Sequence, residues 1–399
     1  MSAGIVIIGG GQAAGWAAKT LRDRGYDQPI SVVADEPWDF YERPPLSKSV
    51  LLQEEVALTR LFSEPVQAAL DLSWYRPLRA EQILRAQKRV LLSDGQQLPY
   101  DRLLIATGSR PRLPGREWQN HPCIHTLRSW QDAISLKAGL NDCQRLAVVG
   151  GGWIGLEIAA SARSKGIDVT VFERQPALCQ RSIDPAVSAA LLALHQRHGV
   201  RLHLDCGEIV LHQQHDRPQL SCASSEAETF DRVVVGIGIE LNLELAQQAG
   251  LEVANGIVVN AHGQTSDPAI FAIGDVARHP QYGISLQSWA FAQNQAIATA
   301  QAMLDPQAEG YGEIPWLWSD QYDVNIQILG LPGDAASTIV RPQPGGGLWF
   351  RLGADSRLQQ LVAFNDARSI KLAKRWMLAQ RPLDAAQLAD PDFSLMSLR

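Results

Sequence analysis

The chain has 399 residues, of which 46% are apolar and 20% are charged, and its formal net charge is −6. This composition supports a buried core, and the length favours about two or three domains. The acidic balance excludes a broad electrostatic footprint for nucleic acid. The apolar runs are far shorter than the roughly 18 residues of a membrane span, and no basic segment precedes the first apolar run at Ile5. We therefore expect a soluble, cytoplasmic protein without a signal peptide.

The cysteines and histidines do not indicate a metal or disulfide site. Because the five cysteines are odd in number and lack C-x-x-C spacing, we expect buried or half-buried thiols at Cys123, Cys143, Cys179, Cys206 and Cys222. His195 and His198 lie three residues apart on a predicted helix, but no acidic or cysteine partner completes a set of metal ligands. We therefore predict that no metal is bound and that both histidines lie at the surface.

The N-terminal segment predicts a β-turn-α-β unit. Residues 5–8 form a continuous apolar run, which suits a strand buried on both faces, and a glycine turn follows at 9–11. Residues 12–24 predict a helix and 30–34 predict a second strand. The same order recurs at 146–149, 150–152, 153–165 and 169–172, so that 141 residues separate Gly9 from Gly150. This separation predicts two nucleotide-binding domains rather than two halves of one.

Further strands that end in glycine turns are predicted at 103–106, 232–235 and 269–273, before a long helix at 285–304. From about residue 315 the pattern changes. Val324, Ile326 and Ile328 alternate with polar residues, which is typical of a half-buried strand. Two more strands, at 348–352 and 358–364, precede a final helix at 368–379. We predict an α/β protein with two Rossmann-like domains and a C-terminal α+β domain.

Each glycine turn carries a dinucleotide fingerprint. In the first turn, Gly9 permits the tight turn, Gly11 lets a pyrophosphate approach the helix N-terminus, and Ala14 keeps the helix near the sheet. Asp35 follows the second strand, 24 residues after Gly11, where an acid binds a ribose hydroxyl; Glu36 is beside it. A glycine turn that is purely structural is the alternative interpretation.

The second fingerprint comprises Gly150, Gly152 and Gly155, and its acid, Glu173, follows Gly152 by 21 residues. A carboxylate here accepts ribose hydroxyls and repels a 2′-phosphate, which favours NADH over NADPH. The adjacent Arg174 would weaken that preference. Two complete fingerprints predict two dinucleotides, and FAD with NAD(H) is the simplest pair between which a hydride can pass.

Several segments then resemble the NADH:ferredoxin reductase components of bacterial aromatic-ring dioxygenases, within the putidaredoxin reductase-like FAD/NAD oxidoreductases. The resemblance runs from residue 5 to about 330 and is looser beyond. Its segments occur in family order: 41–48 (YERPPLSK), 106–108 (ATG), 150–157, 236–239 (GIGI), 265–268 (TSDP), 274–275, 288–289 and 318–322 (WSDQY). It implies a glutathione reductase-like fold, with an FAD domain at 1–110 and 241–315, an NAD domain at 111–240, and the α+β domain at 316–399.

The resemblance also implies roles for individual residues. Besides the fingerprint residues, FAD contacts fall on Ala13, Asp35, Arg43, Lys48, Ala80, Thr107, Gly108, Arg128, Asp275 and Trp289. NAD contacts fall on Ile154, Glu157 and Gly238.

Three of these residues, Lys48, Glu157 and Trp289, are expected at the reacting rings. Lys48 suits the reactive edge of the flavin, and Glu157 is expected to face the nicotinamide carboxamide and to pair with Lys48. Trp289 is expected to lie against the flavin. The alternatives are a solvated helix glutamate for Glu157 and a core-filling side chain for Trp289.

The electron acceptor is inferred partly from what is absent. Residues 35–60 contain no cysteine, so a thiol relay from the flavin is not expected. The resemblance then implies a one-electron acceptor, a small [2Fe–2S] ferredoxin of Rieske type that serves an aromatic-ring dioxygenase. A reductase for rubredoxin or for a cytochrome P450-linked ferredoxin is an alternative. A flavin-bearing interaction protein like apoptosis-inducing factor, which binds DNA or a protein partner, is another, and the net charge argues against it.

The final predicted helix is basic. It carries Arg368, Lys371, Lys374 and Arg375. One interpretation is a patch that steers an acidic ferredoxin. The other is an ordinary solvated helix face, which is the commoner reason for such a run.

Overall fold

The computed structural model describes residues 3–119, 121–212, 217–343 and 345–398. The chain divides into two compact units. The first contains the residues up to Arg43, together with Leu58–Arg110 and Ile239–Glu313. The second contains Pro44–Ala57, Pro111–Gly238 and the residues from Ile314 onward.

A five-stranded parallel sheet forms the centre of the first unit. Its strands lie in the order Ile270–Ala272, Arg102–Ile105, Ile5–Ile8, Ile30–Val33 and Leu72–Tyr75. The strand Ile5–Ile8 is buried along its whole length, which explains its unbroken apolar run. One face packs on the helices Gln12–Asp23 and Trp289–Leu304, whose contact is lined largely by alanines. These small side chains allow the two helices to approach closely.

The opposite face of this sheet packs on smaller elements of the first unit. They are the antiparallel strands Ala80–Leu84, Arg89–Leu92 and Gln97–Pro99, the strands Val253–Ala254, Gly256–Val258 and Ala277–Arg278, and the helix Glu244–Gln248. The remaining elements are the helix Glu64–Ala69, the short 3₁₀ turns Arg85–Gln87 and Gly274–Val276, and the strands Ser109–Pro111 and Ile239–Leu241. The sheet is therefore covered on both faces.

A second parallel sheet lies in the second unit, in the order Arg201–His203, Asp168–Phe172, Arg145–Val149, Arg232–Val235 and Ile124–His125. Its helices are Trp130–Asn141, Trp153–Ser164 and Pro185–Arg197, and an antiparallel sheet of Val210–His212, Gln219–Cys222 and Ser225–Thr229 adjoins it. The segment Pro44–Ser47, a 3₁₀ turn, and the helix Ser49–Leu52 pack on two of these helices. Leu51 is fully buried in that contact, which brings Lys48 close to the second glycine turn.

The C-terminal part of the second unit is α+β. Its antiparallel sheet has the order Trp316–Gln321, Val324–Gly330, Leu358–Phe364, Gly346–Leu352 and Ser337–Gln343. One face packs on the helices Ala367–Leu378 and Ala385–Ala389, and on the residues near the 3₁₀ turn Leu395–Ser397. The other face packs on the helices Trp153–Ser164 and Pro185–Arg197. The predicted fold class is confirmed, whereas the predicted domain boundaries stay predictions.

One predicted helix starts later than expected. The helix predicted from Ser285 begins at Trp289, because the Ser288 hydroxyl accepts a hydrogen bond from the backbone N–H of Phe291 and caps the helix there. The capping serine is thus a better indicator of the helix start than the apolar pattern. Among the described residues, every helix is too short or too polar to cross a lipid bilayer.

Candidate dinucleotide and redox site

The first glycine turn links the strand Ile5–Ile8 to the helix Gln12–Asp23. Gly9 has φ +128°, and a Cβ at this position would lie 2.2 Å from the carbonyl oxygen of Ala106. Its N–H donates to the carbonyl of Val33 at 2.8 Å. The fold itself therefore requires glycine at position 9.

Gly11 is different, because its backbone conformation is ordinary. It is the N-cap residue with φ −94°, and a Cβ here would meet only the guanidinium of Arg43, at 3.9 Å. The chain packing does not require glycine at this position, whereas a pyrophosphate that approaches the helix N-terminus does. The turn therefore fits the phosphates of FAD.

Arg43 lies beside this turn with its guanidinium paired to Glu36 at 2.8 Å. Burial favours the neutral form of Arg43, but the neighbouring Tyr41 and Glu36 hold the pKa of the guanidinium above its usual value. Arg43 is therefore a permanent cation next to Gly11, as a phosphate site needs.

Asp35 and Glu36 occupy different environments. Asp35 has a side chain that is 65% exposed, and its carboxylate lies 3.9 Å from Arg79. Glu36 accepts hydrogen bonds from Tyr41 and Arg43. Asp35 is thus the more available of the two for a ribose hydroxyl.

Two further loops at the ends of the parallel strands are held by hydrogen bonds. Thr107 and Asn242 exchange two hydrogen bonds of 2.9 Å and 2.8 Å between side chain and backbone. Asp275 accepts a hydrogen bond from the Ser109 hydroxyl at 2.8 Å, and the Ser285 hydroxyl donates to its backbone carbonyl. These bonds fix the candidate FAD residues Thr107, Gly108 and Asp275 at one edge of the sheet.

Trp289 stands at the first turn of its helix and is half-buried. Its indole N–H donates to the Glu42 carboxylate at 2.6 Å. Burial raises the pKa of Glu42, and the Trp289 hydrogen bond opposes that shift. Among the described residues, the apolar clusters that form the core do not include Trp289, which speaks against a core-filling role.

The second glycine turn repeats these features in the second unit. Gly150 has φ +109°, and a Cβ here would lie 2.4 Å from the carbonyl oxygen of Gly236. A Cβ at Gly152 would meet only that same oxygen, at 3.9 Å, so the chain packing leaves room for a side chain. A Cβ at Gly155 would lie 2.3 Å from the carbonyl oxygen of Gly150. At Gly152, as at Gly11, the fold does not require glycine, which leaves the helix N-terminus open to a ligand.

The acid of the second turn is held by the turn itself. Glu173 accepts a hydrogen bond from the N–H of Gly151 at 2.6 Å and another from the N–H of Gln175 at 2.7 Å. Ile154, at the start of the helix, is 47% exposed although it is apolar. Gly238 has φ +114° and follows the neighbouring strand. Glu173, Ile154 and Gly238, with Gly152, lie around one edge of the sheet, as a dinucleotide site requires.

Lys48 and Glu157 form the ion pair that the family resemblance implies, at 2.7 Å. Glu157 is only 3% exposed, so a solvated glutamate is excluded. The Lys48 ammonium and the Ser47 hydroxyl both donate to one carboxylate oxygen, and the Ser319 hydroxyl donates to the other at 2.7 Å. A buried carboxylate is stable only with such partners.

The candidate residues divide between the two units. The first unit holds Gly9, Gly11, Ala13, Ala14, Asp35, Arg43, Ala80, Thr107, Gly108, Asp275 and Trp289. The second unit holds the whole candidate NAD set, and also Lys48 and Arg128, which are candidate FAD residues. Ala80 begins a strand of the antiparallel sheet and packs against the cluster that contains Ile8 and Val33. The assignment of all these residues to cofactors stays a prediction.

Sequence reasoning missed residues that act through these candidates. Ser47 and Ser319 were not singled out, although both lie in segments that carry the family resemblance, 41–48 and 318–322. Asn242 was missed because nothing local marks it. The surface position predicted for His195 is wrong: this residue is fully buried on the helix Pro185–Arg197, next to Leu191 and Leu194 of the core. His198 is exposed as predicted.

The prediction for the cysteines agrees with the structure. All five cysteines are thiols, three buried and two half-buried. Burial raises the pKa of the Cys143 thiol to about 11 and that of Cys206 to about 12. Within the described residues, no group of three His, Cys, Asp or Glu side chains could hold a metal ion.

Comparison with known proteins places this arrangement in a family. Residues 3–296 match the pyridine nucleotide-disulphide oxidoreductases, and residues 316–399 match the reductase C-terminal domain. The chain belongs to the pyridine nucleotide-disulphide oxidoreductase family. This oxidoreductase uses FAD and NAD(H). Although the family is named for a disulphide, this member has no cysteine between residues 35 and 60.

Full-length relatives of the oxidoreductase have defined electron-transfer roles. It is 39% identical to the anthranilate 1,2-dioxygenase system ferredoxin–NAD(+) reductase component of Burkholderia cepacia, over 98% of both chains. It is 38% identical to rhodocoxin reductase of Rhodococcus erythropolis, over 98% of this chain and 93% of the relative.

Among solved structures, a similar one is the ferredoxin reductase for the CYP199A2 system from Rhodopseudomonas palustris, with 31% identity, TM-score 0.92 and 99% coverage of both chains. Putidaredoxin reductase, in its covalent complex with putidaredoxin, also has TM-score 0.92, with 33% identity over 99% of this chain and 97% of that one.

Proposed function

We propose that the protein is the NADH-dependent ferredoxin reductase of an aromatic-ring dioxygenase system and that it reduces a small [2Fe–2S] ferredoxin of Rieske type. The observation that carries the proposal is the 39% identity to a dioxygenase-system reductase component over 98% of both chains. The two glycine turns, each with an open helix N-terminus and an acid, support it independently.

Bound FAD would supply the redox chemistry that links NADH, a two-electron hydride donor, to a one-electron acceptor. The chain supplies binding and orientation. The Glu173 carboxylate, held by the Gly151 N–H, accepts hydrogen bonds from the adenosine ribose hydroxyls of NADH. Its negative charge repels the 2′-phosphate of NADPH. Glu157, held by its ion pair with Lys48, orients the nicotinamide carboxamide. Since the chain has no cysteine at residues 35–60, the electrons leave without a thiol relay.

We assign the candidate residues to two sites on these grounds. The candidate residues of the first unit are assigned to FAD, and the assignment of Lys48 and Arg128 to FAD rests on the family resemblance. The NAD site comprises Gly150, Gly152, Ile154, Gly155, Glu157, Glu173 and Gly238. The corresponding domains are 1–110 with 241–315 for FAD and 111–240 for NAD. A cytoplasmic location belongs to the proposal as well, because five thiols without a disulfide suit a reducing compartment.

A cytochrome P450-linked ferredoxin is the second candidate acceptor. The solved ferredoxin reductase for the CYP199A2 system, with TM-score 0.92 and 31% identity, favours this candidate. The two candidates share every step up to the reduced flavin and differ only in the iron–sulfur partner.

An acceptor assay with the FAD-loaded protein tests the function. We expect a yellow protein that bleaches on addition of NADH and reduces cytochrome c only when a ferredoxin is added. The assay compares a Rieske-type ferredoxin, a P450-type [2Fe–2S] ferredoxin and a rubredoxin at equal concentration. The highest kcat/KM with the Rieske-type protein supports the proposal. A higher value with the P450-type ferredoxin selects the second candidate, and a protein that binds no FAD contradicts both.

We propose further that the basic helix Ala367–Leu378 attracts the ferredoxin. Arg368, Lys371, Lys374 and Arg375 are all exposed, whereas Ile370, Leu372, Ala373 and Trp376 are buried against the sheet. The basic residues therefore form one solvent-facing surface, which can steer an acidic partner.

The double variant Lys374→Glu, Arg375→Glu tests this surface. We expect the KM for ferredoxin to rise about fivefold at low salt and its salt dependence to weaken. Ferricyanide reduction is the control and should not change, because it needs no docking surface. An unchanged KM for ferredoxin would mean that this is an ordinary solvated helix face.

A further inference from the structure

A line of buried polar side chains leads from the helix Pro185–Arg197 to Glu157. His195 Nε2 lies 2.8 Å from the side-chain oxygen of Gln321, and the Gln321 amide nitrogen lies 3.1 Å from the Ser319 hydroxyl. That hydroxyl lies 2.7 Å from Glu157 Oε1. His195, Gln321 and Ser319 are each fully buried.

The position of these residues on the sheet is unexpected for a structural core. Ser319 and Gln321 share one face of the strand Trp316–Gln321, since side chains two apart point the same way. Val324, Ile326 and Ile328 of the neighbouring strand contribute to the apolar cluster in this region. Polar side chains in such a place destabilise the fold unless each is hydrogen-bonded. Apolar residues would stabilise the same contact more simply.

The carboxylate at one end fixes the direction of every hydrogen bond. An ionised Glu157 only accepts, so the Ser319 hydroxyl must donate its single proton to it. Ser319 then accepts from the Gln321 amide nitrogen, which turns the Gln321 oxygen toward His195. His195 must therefore carry its proton on Nε2.

The hydrogen bond at the other ring nitrogen of His195, Nδ1, is consistent with a proton on Nε2. Nδ1 lies 3.0 Å from the Tyr322 hydroxyl, which donates to it. Burial lowers the pKa of His195 to about 4, so the ring is neutral at physiological pH. Every proton in the series Tyr322, His195, Gln321, Ser319 thus points toward Glu157.

We propose that Ser319, Gln321 and His195 are positioning residues that hold the Glu157 carboxylate in the orientation needed to align the nicotinamide. Ser319 acts directly, and the other two act through it by fixing the direction of its proton. The C-terminal α+β region thereby contributes to hydride transfer, in addition to any contact with a protein partner. This inference depends on the role proposed for Glu157 and not on the identity of the electron acceptor.

The first test measures flavin reduction by NADH in the stopped flow, without ferredoxin. In Ser319→Ala we expect the limiting rate constant to fall about tenfold, the effect of losing one hydrogen bond to a charged group. The dissociation constant for NADH should change less than about threefold, because Glu173 and the glycine turn remain to bind NADH. Ser319→Thr, which keeps the hydroxyl, should restore most of the rate. A wild-type rate in Ser319→Ala, or the same loss in Ser319→Thr, would overturn the proposal.

Thr170→Val is the matched control for this test. Thr170 is a fully buried hydroxyl of the same unit that, among the described residues, has no hydrogen-bond partner. Its loss should leave the rate unchanged. A wild-type enzyme that bleaches with NADH but reduces no ferredoxin would disprove the proposed acceptor and leave this test intact.

A double-mutant cycle tests whether His195 acts through Ser319. His195→Phe should slow flavin reduction about threefold in the wild-type background and not at all in Ser319→Ala, because both changes disturb one hydrogen bond. Gln321→Met replaces His195→Phe in the cycle if that variant does not fold. If His195→Phe slowed flavin reduction equally in both backgrounds, His195 would not act through Ser319.

A measurement that does not use activity completes the set. ¹⁵N NMR of histidine-labelled protein should show His195 neutral and protonated on Nε2 at pH 7. This tautomer should be less dominant in Ser319→Ala, because the Gln321 amide then loses its acceptor and can turn over. Protonation of His195 on Nδ1 in the wild type would refute the assignment.

Discussion

The two glycine turns have the same backbone and differ in where their acid stands. In both, the first glycine N–H donates to the last residue of the second strand, Val33 in one and Phe172 in the other, at 2.8 Å. Counted from that hydrogen bond, Glu173 comes directly after the strand, whereas Asp35 comes one residue later, with Ala34 in between. The fingerprint therefore locates an acid only to within one residue.

This single residue changes what holds the carboxylate. Glu173 lies against the middle glycine and accepts a hydrogen bond from the Gly151 N–H. In the first turn, the methyl group of Ala34 occupies that place, and a Cβ on Gly10 would lie 2.8 Å from it. Asp35 has its side chain mostly in solvent. The second acid is thus fixed before a ligand binds, and we expect the first to be fixed by its ligand.

The largest expected effects come from the glycines that the fold requires. Gly9→Ala and Gly150→Ala should each lower the free energy of unfolding by about 3 kcal/mol or more, because a Cβ would collide with a carbonyl oxygen at positive φ. Thermal unfolding measures both. Gly11→Ala and Gly152→Ala are the matched controls: each should keep the stability and lose affinity for FAD or NADH. A stable, cofactor-binding Gly9→Ala would show that the first turn is not built as described.

The fingerprint's last position should separate the two turns. Gly155→Ala places a Cβ 2.3 Å from the Gly150 carbonyl oxygen, and we expect a destabilisation of about 2 kcal/mol from overpacking. Ala14→Gly should destabilise by only about 1 kcal/mol, the usual effect of glycine in a helix. Chemical denaturation compares them. An unchanged stability in Gly155→Ala would contradict the close approach of this helix to the Gly150 carbonyl.

The smallest effect is expected for the acid of the second turn. Glu173→Gln keeps an oxygen for the Gly151 N–H but removes the charge, so we expect the preference for NADH over NADPH to fall about tenfold with little change in stability. The ratio of kcat/KM for the two cofactors measures this. Asp35→Asn is the counterpart: it should weaken FAD retention and leave that ratio unchanged. A ratio unaffected by Glu173→Gln would assign the selectivity to other residues.

Local patterns predicted much of the fold. The strand Ile5–Ile8 was predicted with the bounds that the structure has. A strand buried on both faces is apolar at every position, so its sequence alone identifies it. The helix of residues 289–304 was predicted four residues too early, because alanine-rich sequence does not mark where a cap begins. His195 was predicted at the surface, because an isolated polar residue is usually exposed. Its burial depends on hydrogen bonds to Gln321 and Tyr322, which are distant in sequence.

The sequence by itself determined the two glycine turns and the acids that accompany them, whereas the pairing of Lys48 with Glu157 was implied by the family resemblance. Turn glycines and strand-end acids act over a few bonds or one βαβ unit, so their spacing carries the information. Only the tertiary structure decided which oxygen of Glu157 each donor reaches and that Ser319 is one of them. Ser319 lies 162 residues away along the chain, and a hydrogen bond between such distant segments depends on how the C-terminal sheet packs on the helix that carries Glu157.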